Sequence, residues 1–203
     1  GAGAFPLNYP NDWDQARGRG GHGIWLHGVP SAPYSRPPRS SDGCVVVSNP
    51  DLKELSRWVQ VGITPVVIAD RTDWVDRATW QQSRDELLAA LAEWKTAWEG
   101  RDPDRFLDLY ASSMTTGDGR AWASTKRRNI LDKSWIKVQL QDVSLFLYPG
   151  GNMAYTAFTQ RYDSDKLTGV SQKRLYWRTE AGQWRIALEK AIDTPSPTQI
   201  AQR

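Results

Sequence analysis

The residues best suited to covalent or acid–base chemistry lie close together near the start of the chain. Both histidines, His22 and His27, and the only cysteine, Cys44, fall within residues 21–50. A thiol becomes a strong nucleophile when a neighbouring imidazole takes its proton. A pair formed by Cys44 and His27 would therefore support nucleophilic acyl transfer. The alternative is a structural role, since free cysteine is among the most buried residue types.

Short strands are predicted to position both groups. His27 ends the apolar run of residues 24–26, Ile-Trp-Leu, and a glycine follows it. Cys44 follows a turn-forming cluster at residues 40–43, Ser-Ser-Asp-Gly, and leads into three valines at residues 45–47. Strands of β-branched residues typically begin or end at clusters of Gly, Ser and Asp. Each candidate group is thus expected at a strand edge, where a rigid sheet can aim its side chain.

This spacing resembles the active-site signature of the YkuD-type L,D-transpeptidases. In that family a histidine is followed, after a spacer of this length, by Ser/Thr-His-Gly-Cys, and here residues 41–44 read Ser-Asp-Gly-Cys. Leu-Asn-Tyr-Pro-Asn at residues 7–11 and Asn-Pro-Asp-Leu at residues 49–52 also resemble family segments. The likeness covers about residues 3–70. It is greatest to a Gram-negative subgroup that trims or anchors peptidoglycan stem peptides, which implies L,D-transpeptidase or L,D-carboxypeptidase activity.

The resemblance implies a role for each matched residue. Cys44 would be the nucleophile and His27 its base. Gly28 would orient the imidazole through its backbone carbonyl, as a third group does in such triads. Backbone N–H groups around Gly43 and Cys44 would form the oxyanion hole. The implied substrate contacts are Trp25, Ser41, Asp42, Arg36 and Arg39.

Two positions depart from the family signature. Asp42 stands where the signature has a histidine, and a neighbouring carboxylate disfavours the thiolate. Val46 stands where the common pattern has an arginine that meets the substrate. Another cation must then meet the stem-peptide carboxylate, and Arg36 and Arg39, on the loop before Cys44, are nearest in sequence. Either could equally be a solvated loop charge.

The composition changes after residue 70, which predicts two domains. Residues 63–69 are predicted as the last strand of the first, so residues 1–70 would be the C-terminal part of a mostly-β catalytic domain. A charged linker would follow at residues 71–82, then an accessory domain at residues 83–192 and a tail at residues 193–203.

Helical signals open the accessory domain. Ser83 and Glu86 form a capping-box pattern that predicts a helix start, and Gly100 would end that helix. Asp102-Pro103 supplies the N-cap and first-turn residues of a second helix. A third helix is predicted over residues 120–132.

After these helices, the spacing of the apolar residues changes from the period of a helix to the two-residue period of a strand. Residues 136–147 alternate with a phase slip at Gln141-Asp142, which predicts a β-bulge. A turn at residues 149–152 and three more strands complete a meander, at residues 153–162, 170–179 and 183–190. Helices followed by an antiparallel meander indicate an α+β fold. The arrangement resembles the cone-shaped nuclear-transport-factor-two-like (SnoaL-like) fold, in which the tryptophans of this second half would form core or pocket lining.

Composition narrows the function classes. The chain is 39% hydrophobic and 24% charged, an ordinary globular balance. A net charge of +3 without a binding motif argues against nucleic acid. The chain shows neither an apolar membrane span nor a signal sequence, and the resemblance implies an exported, periplasmic or envelope protein.

The predicted function is cysteine-dependent modification of peptidoglycan stem peptides, without metal or organic cofactor. Muropeptides are the expected partners, with a possible homodimer through the second domain. The competing class is a non-enzymatic cell-wall or partner-binding protein whose catalytic half is degenerate.

Overall fold

The structure is a computed structural model that describes residues 3–31, 37, 40–62, 64–112, 114 and 119–193. The chain divides into two compact units, residues 1–68 and residues 69–203. Each unit is described by itself.

The described part of the first unit is built around a three-stranded sheet. Its strands are β1 (Ala4–Pro6), β2 (Trp25–His27) and β3 (Val45–Val46), in the order β1-β2-β3. β1 runs antiparallel to β2, whereas β3 runs parallel to it. The predicted strands at His27 and after Cys44 are therefore confirmed, and they are neighbours in the sheet.

Two short helices accompany this sheet. The helix α1 (Asp12–Ala16) begins after Asn11, whose side chain accepts from the backbone N–H groups of Trp13 and Asp14. The helix α2 (Asn49–Leu55) begins after Ser48, which caps the N–H of Asp51. Side-chain oxygens at the N-cap satisfy N–H groups that have no partner inside the helix.

The strand predicted over residues 63–69 is wrong for the residues described. Residues 64–69 form no strand, and Ile63 lies outside the described residues. Pro65 has no N–H to donate to a ladder. The apolar side chains of Val66 and Ile68 are exposed, so the burial that stabilises a strand is missing.

Three helices open the second unit: α3 (Arg77–Glu99), α4 (Pro103–Asp108) and α5 (Gly119–Leu131). The predicted start at Ser83 is wrong, because α3 begins six residues earlier. Its N-cap is Asp76, which accepts from the Thr79 N–H at 2.9 Å, while the Ser83 hydroxyl donates to the Thr79 carbonyl at 3.1 Å from inside the helix. The predicted end of this helix at Gly100 is confirmed.

The start of α4 also agrees with the sequence prediction. Asp102 is the N-cap, and Pro103 occupies the first turn, as expected from the Asp-Pro pair. Proline suits this position because its missing N–H would have no partner inside the helix. The third predicted helix is confirmed as α5.

A four-stranded antiparallel sheet completes the second unit. Its strands follow the chain order: β4 (Ile136–Leu147), β5 (Met153–Ser164), β6 (Thr168–Glu180) and β7 (Gln183–Asp193). The register shifts between Gln141 and Ser144, and Asp142 has a φ of 53°. The predicted bulge and the α+β fold class are both confirmed.

The helices pack on one face of this sheet through aromatic side chains. Trp94 on α3 is fully buried, and its ring centroid lies 6.0 Å from that of Phe158 on β5. Phe106 on α4 lies 5.9 Å from Trp94. Aromatic side chains bury large areas and contribute strongly to a core. Leu87, Leu91, Trp98, Ile130, Leu175, Trp177 and Ile186 also belong to this cluster.

The chain after α4 pairs with the edge of the sheet. The N–H of Ala111 donates to the carbonyl of Ile186 at 2.9 Å, and the N–H of Ile186 donates to the carbonyl of Leu109 at 2.8 Å. Tyr110 thus forms a parallel bridge with β7. Within the described residues, none of the helices combines the length and the apolar character that crossing a membrane requires.

Candidate functional site

His27 lies at the end of β2, where its ring is held by the next residue. Its Nδ1 atom lies 2.7 Å from the backbone carbonyl oxygen of Gly28. A carbonyl only accepts hydrogen bonds, so Nδ1 carries the proton in the neutral ring and Nε2 is left as the acceptor. This is the tautomer that a general base needs. The catalytic roles predicted for His27 and Gly28 remain predictions.

Gly28 is confined by α2. A Cβ atom at this position would lie 2.2 Å from Oδ1 of Asn49 and 3.4 Å from Leu52. A side chain at this position would therefore force the Asn49 amide to move.

Cys44 lies directly before β3, next to the strand that carries His27. Leu26 pairs with Val45 and His27 pairs with Val46. The Cys44 side chain is partly buried. In the described part of the chain, its Sγ donates to the carbonyl of Gly23 at 3.6 Å, and His27 is not its hydrogen-bond partner. Catalytic hydrogen bonds commonly tighten only when substrate binds.

The turn before Cys44 is closed by Ser41. The Ser41 hydroxyl donates to the Cys44 carbonyl at 2.7 Å. Gly43 has a φ of 113°, and a Cβ atom there would lie 2.7 Å from Cδ1 of Ile24. The turn therefore favours glycine for its backbone conformation, and an added Cβ atom would also displace the end of the Ile24 side chain.

Replacing Gly43 by alanine is expected to lower the free energy of unfolding of the first unit by about 1–3 kcal/mol, because alanine is strained at this φ. Urea unfolding measures this decrease. Gly20→Ala is the matched control, since Gly20 has open space around it and its φ is not positive; it should change stability by less than about 0.5 kcal/mol. Equal effects of the two substitutions would contradict the prediction.

The side chains predicted to contact substrate differ in their exposure to solvent. Trp25 is exposed, Ser41 is half-buried, and Asp42 is exposed. Arg36 and Arg39 lie outside the described residues, and all five contacts remain predictions.

The second unit contains a cavity of about 520 Å³ between α5 and the sheet. Lys126, Lys133 and Lys173 line it together with Gln160. Its less polar walls include Trp98, Tyr162, Leu167 and Val170. Lys126 and Lys173 share Glu189, and Lys133 lies 3.5 Å from Asp132. The lysines therefore exceed these two carboxylates by one charge beside a partly aromatic wall, which suits an anionic ligand with an apolar part.

A buried ion network fixes one side of this cavity. Lys173 Nζ donates to Oε1 of Glu189 at 2.5 Å, and Lys126 Nζ lies 3.4 Å from the same oxygen. Tyr110 donates to the other carboxylate oxygen and accepts from Trp94 Nε1 at 2.9 Å. The cationic wall is therefore anchored to both a strand and a helix.

The network shifts the proton affinities of its members. Burial alone would raise the pKa of Glu189, but the charges of Lys126 and Lys173 and the hydrogen bonds from Lys173 and Tyr110 outweigh it and hold the pKa at about 2. Burial lowers the pKa of Lys173, although the nearby charge of Glu189 acts to raise it. Burial and the Glu189 charge raise the pKa of Tyr110 well above its ordinary value.

Sequence reasoning expected pocket-lining tryptophans but did not identify the lysines or Gln160. The signal was present in the strands. Gln160 lies two residues after the buried Phe158, and Lys173 lies two residues before the buried Leu175. Residues two apart in a strand share a face, so both occupy inward positions of β5 and β6. Polar residues at inward positions of a strand are uncommon without a function.

The two units match two different protein families. Residues 86–190 match the family model of the Cds6 C-terminal NTF2-like domain. Residues 2–68 match the model of the L,D-transpeptidase catalytic domain. A search of curated proteins gave no match.

Similar solved structures span nearly the whole chain. Bd1075 of Bdellovibrio bacteriovorus is 29% identical with a TM-score of 0.80, and the match covers 95% of this chain and 69% of that one. The helical cell shape determining protein Pgp2 from Campylobacter jejuni is 25% identical with a TM-score of 0.73, covering 92% and 67%. This chain thus spans about two thirds of the length of each. With an L,D-transpeptidase segment before an NTF2-like domain, the chain belongs to the family of the Cds6 C-terminal NTF2-like domain.

Proposed function

We propose that this chain is part of a cysteine-dependent enzyme that modifies peptidoglycan stem peptides. The observation that carries the proposal is the orientation of the His27 ring. Its Nδ1 atom lies 2.7 Å from the Gly28 carbonyl oxygen, which leaves Nε2 as the acceptor, and the strand of His27 pairs with the strand that follows Cys44. The match to the L,D-transpeptidase catalytic domain supports it. An envelope or periplasmic location and a role in cell shape, by similarity to Pgp2, belong to the same proposal.

The proposed reaction begins when His27 Nε2 takes the Cys44 proton and the thiolate attacks the carbonyl that precedes a terminal D-alanine. Backbone N–H groups at Gly43 and Cys44 stabilise the oxyanion; one such donor is typically worth about 3–4 kcal/mol of the barrier. His27 then returns the proton to the leaving amine, and a thioester remains. Water resolves it in an L,D-carboxypeptidase, whereas a second amine resolves it in an L,D-transpeptidase. Arg36 and Arg39 are proposed to meet the stem-peptide carboxylate.

Thiol reactivity tests the His27 role. His27→Ala is expected to slow alkylation of Cys44 by iodoacetamide at pH 7 about tenfold, because the thiol no longer has the base that ionises it. His22→Ala is the matched control, since His22 is an exposed histidine, and it should leave the rate unchanged. Mass spectrometry of the wild-type chain mixed with a tetrapeptide stem should also detect the thioester. Equal alkylation rates in all three proteins, with no thioester, would overturn the proposal.

A second candidate function is a non-enzymatic binding protein. The observation that favours it is the hydrogen bond from the Cys44 thiol to the Gly23 carbonyl, because in the described part of the chain the thiol pairs there and not with His27. The same alkylation experiment separates the two candidates.

The second unit is proposed to dock the stem peptide. Its cavity is large enough for a few residues, and the charge of its lysines is opposite to that of the stem-peptide carboxylates. A pocket that combines apolar walls with a few convergent polar groups is typical of ligand sites.

A further inference from the structure

Three large apolar side chains are exposed at one end of the second unit. Leu131 ends α5, Trp135 precedes β4, and Leu167 lies in the turn between β5 and β6. Each is between 48% and 60% exposed. We call these three side chains the apolar tip. Exposed apolar side chains that lie together, unlike single ones, mark interaction sites.

Hydrogen bonds between the segments bring the members of the apolar tip to the same end. The Ser134 N–H donates to a carboxylate oxygen of Asp165 at 3.1 Å, and Lys166 donates to Asp132 at 2.7 Å. Each of these four residues lies within two positions of a member of the apolar tip. The end of α5, the start of β4 and the turn after β5 are therefore neighbours in space.

The backbone that carries the apolar tip is fixed by further hydrogen bonds. The Ser164 hydroxyl accepts from the N–H groups of Lys166 and Leu167 and donates to the Leu167 carbonyl at 3.0 Å. On the other segment, Arg101 donates to the Leu131 carbonyl at 3.3 Å. A partner thus meets apolar side chains whose backbone is already ordered, which lowers the entropy lost on binding.

Cations outnumber carboxylates around the apolar tip. Residues 128–137 and 161–167 hold five cations and three carboxylates, and Arg101 adds a sixth cation. The five cations are Arg128, Lys133, Lys137, Arg161 and Lys166, and the carboxylates are Asp132, Asp163 and Asp165. A positive surface around exposed Trp and Leu side chains complements the anionic headgroups and the acyl boundary of a lipid bilayer.

The size of the apolar tip argues against a second copy of the chain as its partner. A stable dimer buries about 800 Å² on each partner, and three half-exposed side chains present much less. A lipid interface requires no matching surface, because a few inserted apolar side chains add to the attraction between cations and headgroups.

We propose that the apolar tip inserts into the interface of an anionic lipid bilayer, with the surrounding cations on the headgroups. The indole ring of Trp135 lies at headgroup level, where tryptophan is enriched, and Leu131 and Leu167 reach the acyl boundary. Long side chains such as Lys137 keep their ammonium groups among the headgroups. This attachment goes beyond the proposed function and does not depend on it.

Cosedimentation with vesicles tests the proposal. The full chain is mixed with vesicles of phosphatidylcholine alone, or of equal parts of phosphatidylcholine and phosphatidylglycerol. We expect partition into the anionic vesicles to be at least about tenfold stronger than into the neutral ones, because the cations add to the apolar contact. Raising the salt concentration should weaken it, since salt screens the headgroup charges.

Substitutions in the apolar tip identify the inserted side chains. Trp135→Ser and Leu131→Ser should each weaken partition into anionic vesicles at least about fivefold, because apolar carbons are withdrawn from the lipid. Trp74→Ser and Leu55→Ser are the matched controls, since both residues are exposed but lie outside the apolar tip. Both controls should bind like the unsubstituted chain.

A charge reversal tests the cations separately. Lys137 is exposed on β4, and Lys137→Glu should weaken partition into anionic vesicles about tenfold while leaving the neutral vesicles unaffected. Lys53→Glu is the matched control, because Lys53 is an exposed lysine on α2. Equal binding by these two variants would contradict the proposal.

Three other results would overturn it. They are equal partition into both kinds of vesicle or none into either, binding by Trp135→Ser and Leu131→Ser that equals that of their controls, or a dimer in sedimentation velocity that Trp135→Ser dissociates. The dimer would assign the apolar tip to a second copy of the chain. None of these results bears on Cys44, because the vesicles contain no stem peptide.

Discussion

Replacing Cys44 by alanine is expected to abolish the release of D-alanine from tetrapeptide stems, with a decrease of at least about 1,000-fold in turnover. The thiol is the only group in the proposed mechanism that forms a bond to the substrate. Its removal should therefore leave no acyl-enzyme, whereas substrate docking in the second unit should persist. Chromatographic assay of released D-alanine measures the effect.

Folding should be unaffected by this substitution. Alanine removes the S–H···O hydrogen bond of 3.6 Å from Cys44 to Gly23, and a bond of this kind is weak, so the melting temperature should match that of the wild type. Cys44→Ser is the companion variant, because it keeps a donor of similar size but is a much poorer nucleophile. Turnover retained by either well-folded variant would exclude Cys44 as the nucleophile.

Replacing Glu189 is expected to lower the stability of the fold, unlike replacing Cys44. Glu189→Gln leaves the ammonium of Lys173, which is 4% exposed, buried without its counter-ion, and breaking a buried pair in this way typically costs about 3–5 kcal/mol. Urea unfolding of the full chain measures this cost. Glu93→Gln is the control, since the Glu93–Arg105 pair is largely exposed and such pairs contribute about 1 kcal/mol or less.

The same group makes stability depend on pH. The pKa of Glu189 falls from its ordinary value of 4.5 to about 2 in the folded protein, so its contribution is fully present above pH 4.5. It is lost as the pH falls through about 2, and a shift of this size corresponds to about 3 kcal/mol. The difference in stability between wild type and Glu189→Gln should therefore shrink between pH 5 and pH 2. A constant difference across that range would contradict the assigned pKa.

Much of the second unit was predictable from its sequence because local chemistry and tertiary structure agree there. The slip in apolar alternation at Gln141-Asp142 required a bulge, and the Asp102-Pro103 pair had one good position in a helix. The start of α3 was mispredicted because Asp76 and Ser83 both suit an N-cap, and the helix continues through every residue between them.

The candidate sites were less predictable because they depend on contacts distant in sequence. The residues flanking His27 and Cys44 predicted a strand edge for each, but the partner of the thiol is set by the backbone at Gly23, which no side-chain pattern encodes. The lysines of the cavity meet only when β6, α5 and the turn after α5 come together. Taken segment by segment, the sequence shows them as separate surface charges.

Tyr110 connects the layers of the second unit at one position. Its hydroxyl joins Trp94 on a helix to Glu189 on a strand, and its backbone neighbours pair with Ile186 at the sheet edge. Helices and sheet held together in this way should open as one cooperative unit rather than in stages. The lysines bonded to Glu189 are then fixed before any ligand arrives, so the entropy of ordering them is lost during folding and not during binding.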